Sequence, residues 1–122
     1  MKYWFGSALT LAAVLVSFSS EAQQTATYAF RLAPNSSNVG TCNRLDASMS
    51  REHTLTVTGD KAVVKSAGGV NDNLKPDGAG VYRTEFRHAG VTLAVVANVA
   101  QSPRTLVVTE PRAGCRWSGE AK

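Results

Sequence analysis

His88 and Glu110 are the two residues of this chain whose chemistry could support catalysis. His88 ends an alternating segment that begins at Val81, and its side chain falls on the predicted inner face. Glu110 and Arg112 are expected at the same end of the sheet, two strands away, or roughly 10 Å at about 4.8 Å per strand. A histidine and a carboxylate can do acid–base work, but such groups at the rim of a sheet are usually just solvated. We therefore predict no catalytic residue and a protein that is not an enzyme.

The sequence lacks the local motifs of common hydrolases and nucleotide-binding proteins. Gly-x-Ser-x-Gly, His-Glu-x-x-His and phosphate-binding glycine loops are all absent. Nucleic-acid binding would need a dense basic patch with interleaved aromatic residues. The chain has 13 basic and 9 acidic residues, a net charge of +4, and no run of three basic residues. We therefore expect no nucleic-acid partner.

The Asn-Asp-Asn run at 71–73 invites comparison with a calcium-binding loop. If Gly78 takes the sixth position of an EF-hand loop, Lys75 takes the third and Thr84 the twelfth. Those positions need carboxyl or amide oxygens, so the motif fails. His53, on an apolar strand face, is expected to be a structural histidine rather than a ligand. We predict no metal and no cofactor.

Cys42 and Cys115 are the only cysteines. A structural zinc site needs four ligands, so this pair alone does not form one. Two thiols in an exported domain are most simply a disulfide. The bridge would close a loop of most of the mature chain and stabilise it by roughly 4 kcal/mol.

Residues 1–22 have the three parts of a cleavable signal peptide. A basic residue opens the chain, an uncharged apolar segment covers 3–18, and small residues occupy positions 20 and 22. At about 16 residues the apolar segment falls short of the ~20 that span a bilayer core, which argues against a retained anchor. No cysteine lies near the cut, so a lipoprotein is not expected. We predict an exported protein, periplasmic or extracellular, whose single soluble domain, residues 23–122, has no membrane span.

Period-two alternation dominates this domain, and no segment keeps helical periodicity. A first strand is predicted over 27–33. The best-supported hairpin joins strands 53–58 and 61–66, because Gly59 at the first position of a two-residue turn suits type II′ geometry. The register that gathers its apolar residues pairs Thr58 with Lys61, Val57 with Ala62, Leu55 with Val64 and His53 with Ser66.

A meander follows, with strands over 81–88 and 91–99 and a third strand beginning at 104. A one-residue slip would turn the apolar side chains of a strand to water, so we choose the register that keeps them together. That register pairs Phe86 with Leu93, Tyr82 with Ala97, Ala97 with Leu106, Val95 with Val108 and Val99 with Arg104. A last short strand holds Cys115 and Trp117 on a common face.

About seven short strands predict an all-β fold, a small antiparallel meander barrel or sandwich with one disulfide. The strand spacing resembles that of small secreted barrels of lipocalin-like architecture, although the Gly-x-Trp of lipocalins is missing near the first strand. Two segments, 34–50 and 67–80, do not fit the meander. We expect a long connection tethered by Cys42 and a flexible surface crossover, the alternative for the second being a lid over one end.

Aromatic residues on the inner face favour a non-enzymatic module that takes an apolar or amphipathic ligand at one end of the barrel. The predicted ligand-binding residues are Tyr82, Phe86, His88 and Trp117. Small barrels are often packed solid by side chains, so the same residues also suit a core.

The outer face of the meander favours an alternative function, interaction with a protein partner as an inhibitor or envelope-associated protein. The chosen register turns Val96 and Val107 outward and places Arg83 opposite Val96. A strand that is apolar on both faces usually has cover on both. We predict an interface at these three residues; the oligomeric state is left open.

Overall fold

Nine antiparallel strands form a nearly closed barrel within residues 24–35, 37–88 and 90–121, which the computed structural model describes. The strand order around the sheet is β1-β3-β4-β5-β6-β7-β8-β9-β2. The predicted signal peptide, residues 1–22, lies outside the described residues. The elements in chain order are β1 (Thr25–Arg31), β2 (Ala33–Pro34), helix α1 (Val39–Leu45), a 3₁₀ turn (Ala47–Met49), β3 (Glu52–Thr58), β4 (Lys61–Ser66), β5 (Asn71–Pro76), β6 (Val81–His88), β7 (Val91–Asn98), β8 (Arg104–Glu110) and β9 (Cys115–Ala121).

The predicted registers of the β3–β4 hairpin and the β6–β8 meander are confirmed. Gly59 has φ of 63°, the left-handed conformation that its turn requires. The observed pairs include Leu55 with Val64, His53 with Ser66, Phe86 with Leu93, Tyr82 with Ala97, and Val95 with Val108. The β7–β8 ladder ends at Asn98, so the expected pair of Val99 and Arg104 is not part of it.

The segment 67–80, expected to be a loop, contains β5. Its Asn, Asp and Lys residues are poor strand formers. Neighbouring strands nevertheless supply hydrogen-bond partners on both sides, since 71–74 pair with β4 and 75–76 pair with β6. Val70 and Leu74 are buried and attach the segment to the core. Strand pairing thus overrides local propensity and raises the strand count above the predicted seven.

The N-terminal segment closes the barrel because it changes partners at Leu32. β1 pairs with β3, whereas β2 pairs with β9, so the strand predicted over 27–33 is two strands. The N–H of Leu32 donates to the carbonyl of Arg51 at 3.0 Å. At this seam a Cβ on Gly119 would lie 2.5 Å from the carbonyl oxygen of Arg31. Only glycine allows the two backbones to approach so closely.

The segment 34–50 contains α1, and the expectation of a chain without helices is wrong. A helix of this length is unstable on its own in water, and α1 has no side-chain hydrogen bond at its N-cap. It is held by tertiary contacts, with Cys42 fully buried. In the described part of the chain, no helix has the length and apolar character needed to cross a membrane.

The inner faces of the strands, together with Met49 from the 3₁₀ turn, fill the barrel with side chains. The larger hydrophobic side chains with 1% exposure or less belong to a single cluster. They are Trp117, Phe30, Leu32, Met49, Leu55, Leu93, Leu106, Val64 and Val95.

Gly119→Ala is expected to lower the free energy of unfolding by about 1–3 kcal/mol. The carbonyl of Arg31 cannot move aside without opening the seam between β1 and β9. Gly40→Ala is the matched control, because its new Cβ would meet only the Arg44 side chain, at 3.7 Å, and alanine favours a helix by up to about 1 kcal/mol. Urea unfolding measures both, and equal midpoints for the two variants would contradict a tight seam.

Candidate functional site

Residues 37–50, which we call the end plug, close one end of the barrel. The confirmed Cys42–Cys115 disulfide, with Cα atoms 5.5 Å apart, fastens the plug to the first residue of β9. The side-chain amide of Asn38 donates to the carbonyl of Ala113 at 2.6 Å. Met49 is fully buried among the core residues. The plug is therefore attached covalently, by hydrogen bonding and by packing.

His88 joins the end plug to the barrel wall through both of its ring nitrogens. Nδ1 lies 2.8 Å from Oδ2 of Asp46, and Nε2 lies 3.0 Å from the carbonyl oxygen of Gly68. Both partners are acceptors, so the surroundings favour the imidazolium, in which both nitrogens donate. Asp46 is held in turn, because its Oδ1 accepts hydrogen bonds from the backbone N–H and the hydroxyl of Ser48.

The pKa of His88 is raised above its usual value of 6.5. Burial lowers this pKa, but the hydrogen bonds to Asp46 and Gly68 and the charges of Asp46 and Asp72 outweigh burial. The Phe86 ring also packs against the imidazole in a T-shaped arrangement, with centroids 6.5 Å apart. The site is thus a largely buried ion pair between strand β6 and the plug.

His53 lies at the same end and has 1% exposure. Its Nδ1 is 3.1 Å from the carbonyl oxygen of Arg51, to which it donates. Burial lowers the pKa of His53, and the nearby charge of His88 lowers it further, against the raising effects of the Arg51 carbonyl and Asp46. The pKa values of the two histidines are thus shifted in opposite directions.

His88 and Glu110, which were expected at the same end of the sheet, have different hydrogen-bond partners. Glu110 is buried, and its carboxylate accepts the backbone N–H groups of Arg112 and Ala113 at 2.8 and 2.7 Å, which shapes the β8–β9 turn. The ring nitrogens of His88 are instead engaged by Asp46 and the carbonyl of Gly68. Across the described residues, no group of three or more His, Cys, Asp or Glu side chains is placed to hold a metal ion.

The four predicted ligand-binding residues lie on the inner face and make internal contacts. Trp117 is fully buried, and Tyr82 is 7% exposed with its hydroxyl donating to the carbonyl of Gly59 at 3.2 Å. Phe86 is half-buried beside His88. Ligand binding by this set stays a prediction.

The three predicted interface residues form one cross-strand row on the outside of β6, β7 and β8. Arg83 lies opposite Val96, and Val96 lies opposite Val107. Both valines are half-buried, and the guanidinium of Arg83 pairs with the carboxylate of Asp77. Val107 also borders an outer concavity of about 570 Å³, together with Asn35, Gln101, Thr105, Arg116, Ser118, Gly119 and Glu120.

Asp46 carries the negative charge of the plug site, and it was not among the predicted site residues. Its one local signal in the sequence is the pattern Asp46-Ala47-Ser48, in which a carboxylate accepts the N–H two residues later. Its partner His88 lies 42 residues further along the chain. That contact has no local signal, because only the folded plug brings the two residues together.

No family model, no curated protein and no solved structure matches this chain. The function therefore has to be inferred from the geometry of the described residues.

Asp46→Asn is expected to remove the pH dependence of stability that His88 confers. It should also lower the free energy of unfolding by about 1–3 kcal/mol near neutral pH. The folded-state pKa of His88 is raised, so its ion pair contributes fully below pH 6.5, and the contribution is lost as pH rises through the folded-state pKa. The amide of the variant is neutral and therefore does not favour the protonated form of His88. Above pH 6.5, urea midpoints should fall with rising pH in the wild-type protein and stay level in the variant.

His53 should make the opposite contribution in the same titration. Its folded-state pKa is lowered, so its contribution is present above pH 6.5 and is lost as pH falls. The wild-type protein should therefore lose stability on both sides of an optimum, whereas Asp46→Asn should keep only the acid-side loss. Asp60→Asn, in the exposed β3–β4 turn, is the charge-matched control. An alkaline loss that persists in Asp46→Asn would exclude the ion pair as its source.

Proposed function

We propose that this protein is a non-enzymatic binding module that holds a protein partner against the outer face of β6–β9. The observation that carries the proposal is the cross-strand pair of Val96 and Val107 on that face. The inner faces of the same strands are already filled, with Val95 and Val108 buried in the core. Because a strand that is apolar on both sides usually has cover on both, the partner would supply the outer cover.

The surroundings of the two valines have the composition of a protein interface. An apolar centre bordered by polar groups that can hydrogen-bond is the usual arrangement of such surfaces. Arg83 lies on one side of the valines and Ser118 on the other. The Asn35 amide donates to the Ser118 hydroxyl at 2.7 Å, which gives this border a defined geometry.

Export is part of the proposal. The Cys42–Cys115 disulfide is intramolecular, and such bonds persist in oxidising compartments such as the periplasm or the extracellular space. The signal peptide predicted for residues 1–22 supports the same destination. In that compartment the module would act as an inhibitor or as an envelope-associated protein.

Val96→Glu combined with Val107→Glu is expected to abolish partner binding while leaving the fold intact, since both positions face outward. Two carboxylates at the centre of an interface, unpaired, should weaken association by at least about a hundredfold. Crosslinking in the native compartment, followed by sedimentation of the purified complex, measures the loss. The mass of the crosslinked complex shows whether the partner is a second copy of the chain or a different protein.

The control is Thr56→Glu combined with Val63→Glu, a cross-strand pair at half-buried outer positions of β3 and β4. This control adds the same charge on the other side of the barrel and should leave the partner bound. Loss of the partner in both double variants would indicate a general charge effect. A protein that remains monomeric and uncrosslinked before any substitution would refute the proposed interface.

An amphipathic ligand in the interior is the second candidate, and it is favoured by buried polar atoms that lack partners. Nε2 of His53, Oγ of Ser66 and Nε1 of Trp117 are buried and have no hydrogen-bond partner among the described residues. Each such group costs about 1–3 kcal/mol. His53 and Ser66 face each other across β3 and β4. A ligand with an apolar body and a polar group would satisfy atoms of this kind.

Native mass spectrometry of protein purified from its host should then show an additional bound mass. Trp117→Phe removes the indole N–H together with part of the ring volume, and it should reduce the bound fraction. Protein that carries no additional mass would exclude an interior ligand.

A further inference from the structure

The outer surface at the plug end of β1, β3 and β4 contains an open groove of about 550 Å³ with an unbalanced charge. Three cationic side chains and one acidic side chain border it, so its local charge is +2 within a chain of net charge +4. Thr54, Ser66 and Ala67 complete the lining. The charged residues are Arg31, Arg51, Lys65 and Glu52.

Strand register brings these residues together from distant parts of the sequence. Arg31 at the end of β1 lies opposite Glu52 on β3, and Thr54 lies opposite Lys65 on β4. Arg51 immediately precedes β3, and its carbonyl accepts hydrogen bonds from the Leu32 N–H at 3.0 Å and from His53 at 3.1 Å. The backbone at Arg51 is therefore fixed, and the sheet sets the backbone positions of the three cationic residues.

The cationic groups are not used by the fold. Within the described ranges the salt bridges are Arg83 with Asp77 and His88 with Asp46, and neither involves the groove. Arg31, Arg51, Lys65 and Glu52 are all exposed, and no hydrogen bond of their side chains occurs among the described residues. Guanidinium groups are weakly hydrated and match oxyanions in a bidentate geometry.

We infer that this groove binds a multivalent oxyanion, a group with two or more adjacent phosphoryl or sulfuryl units. A single monovalent anion would engage one cation, whereas the cations here stand on neighbouring strands about 4.8 Å apart. A diphosphate can contact two or three of them at once. The negative charge of Glu52 repels the anion, so the affinity is lower than the three cations alone would give. The groove lies on β1, β3 and β4, which are not strands of the proposed partner face, so the two proposals are independent.

Sodium pyrophosphate is the probe, titrated into the purified protein with the disulfide intact, at constant ionic strength maintained with chloride. Calorimetry should show saturable binding, and backbone amide chemical shifts should change near residues 31, 51–54 and 65–67. The triple variant Arg31→Gln, Arg51→Gln, Lys65→Gln should weaken binding by about tenfold or more, because charge-assisted hydrogen bonds are lost.

The matched control is Lys61→Gln, Lys75→Gln, Arg116→Gln, which removes the same charge from exposed positions outside the groove. It should change the dissociation constant by less than about twofold, because long-range surface charge is screened. Glu52→Gln should tighten binding by about threefold, because it removes the one opposing charge. This gain cannot result from misfolding.

Binding to vesicles of equal parts phosphatidylcholine and phosphatidylglycerol tests whether the groove takes a lipid headgroup or a soluble anion. Pyrophosphate binding that is lost only in the groove triple variant supports a soluble oxyanion, and vesicle binding with the same variant dependence supports a headgroup. Equal losses in the two triple variants, an unchanged affinity in Glu52→Gln, or no saturable binding would each overturn the site. Val96→Glu with Val107→Glu should bind pyrophosphate like the wild-type protein.

Discussion

The disulfide between Cys42 and Cys115 is the constraint on which the plug end of the barrel depends. It fixes a short helix, unstable by itself, to the first residue of β9. With the helix fixed, Met49 enters the core and Asp46 reaches His88. The disulfide, the buried Met49 and the ion pair of Asp46 with His88 together hold the plug against the barrel.

The outer surface has two areas that differ in character, while the core is filled by large side chains such as Trp117 and Phe30. The β6–β9 face has an apolar centre at Val96 and Val107, whereas the groove on β1, β3 and β4 is basic. We propose the first area as a protein interface and the second as an anion site.

The secondary structure was predictable where side-chain alternation and turn chemistry agree. Gly59 and the alternation on both sides of it determined the β3–β4 register, and the apolar sets of β6, β7 and β8 determined theirs. The prediction failed for β5, whose Asn, Asp and Lys residues carry little strand propensity. It failed also for α1, because seven residues held by a disulfide need no helical periodicity. In both segments tertiary partners supplied what the local sequence lacks.

The sequence by itself determined the all-β class, the disulfide and the faces of most strands, since these depend on residue type and on a period of two along the chain. Only the tertiary structure decided which charged groups meet. The pairing of Asp46 with His88, the release of Glu110 to a turn, and the gathering of Arg31, Arg51 and Lys65 all join residues that share no local pattern. Such contacts depend on where the strands and the plug lie in space, and a one-dimensional pattern does not contain that information.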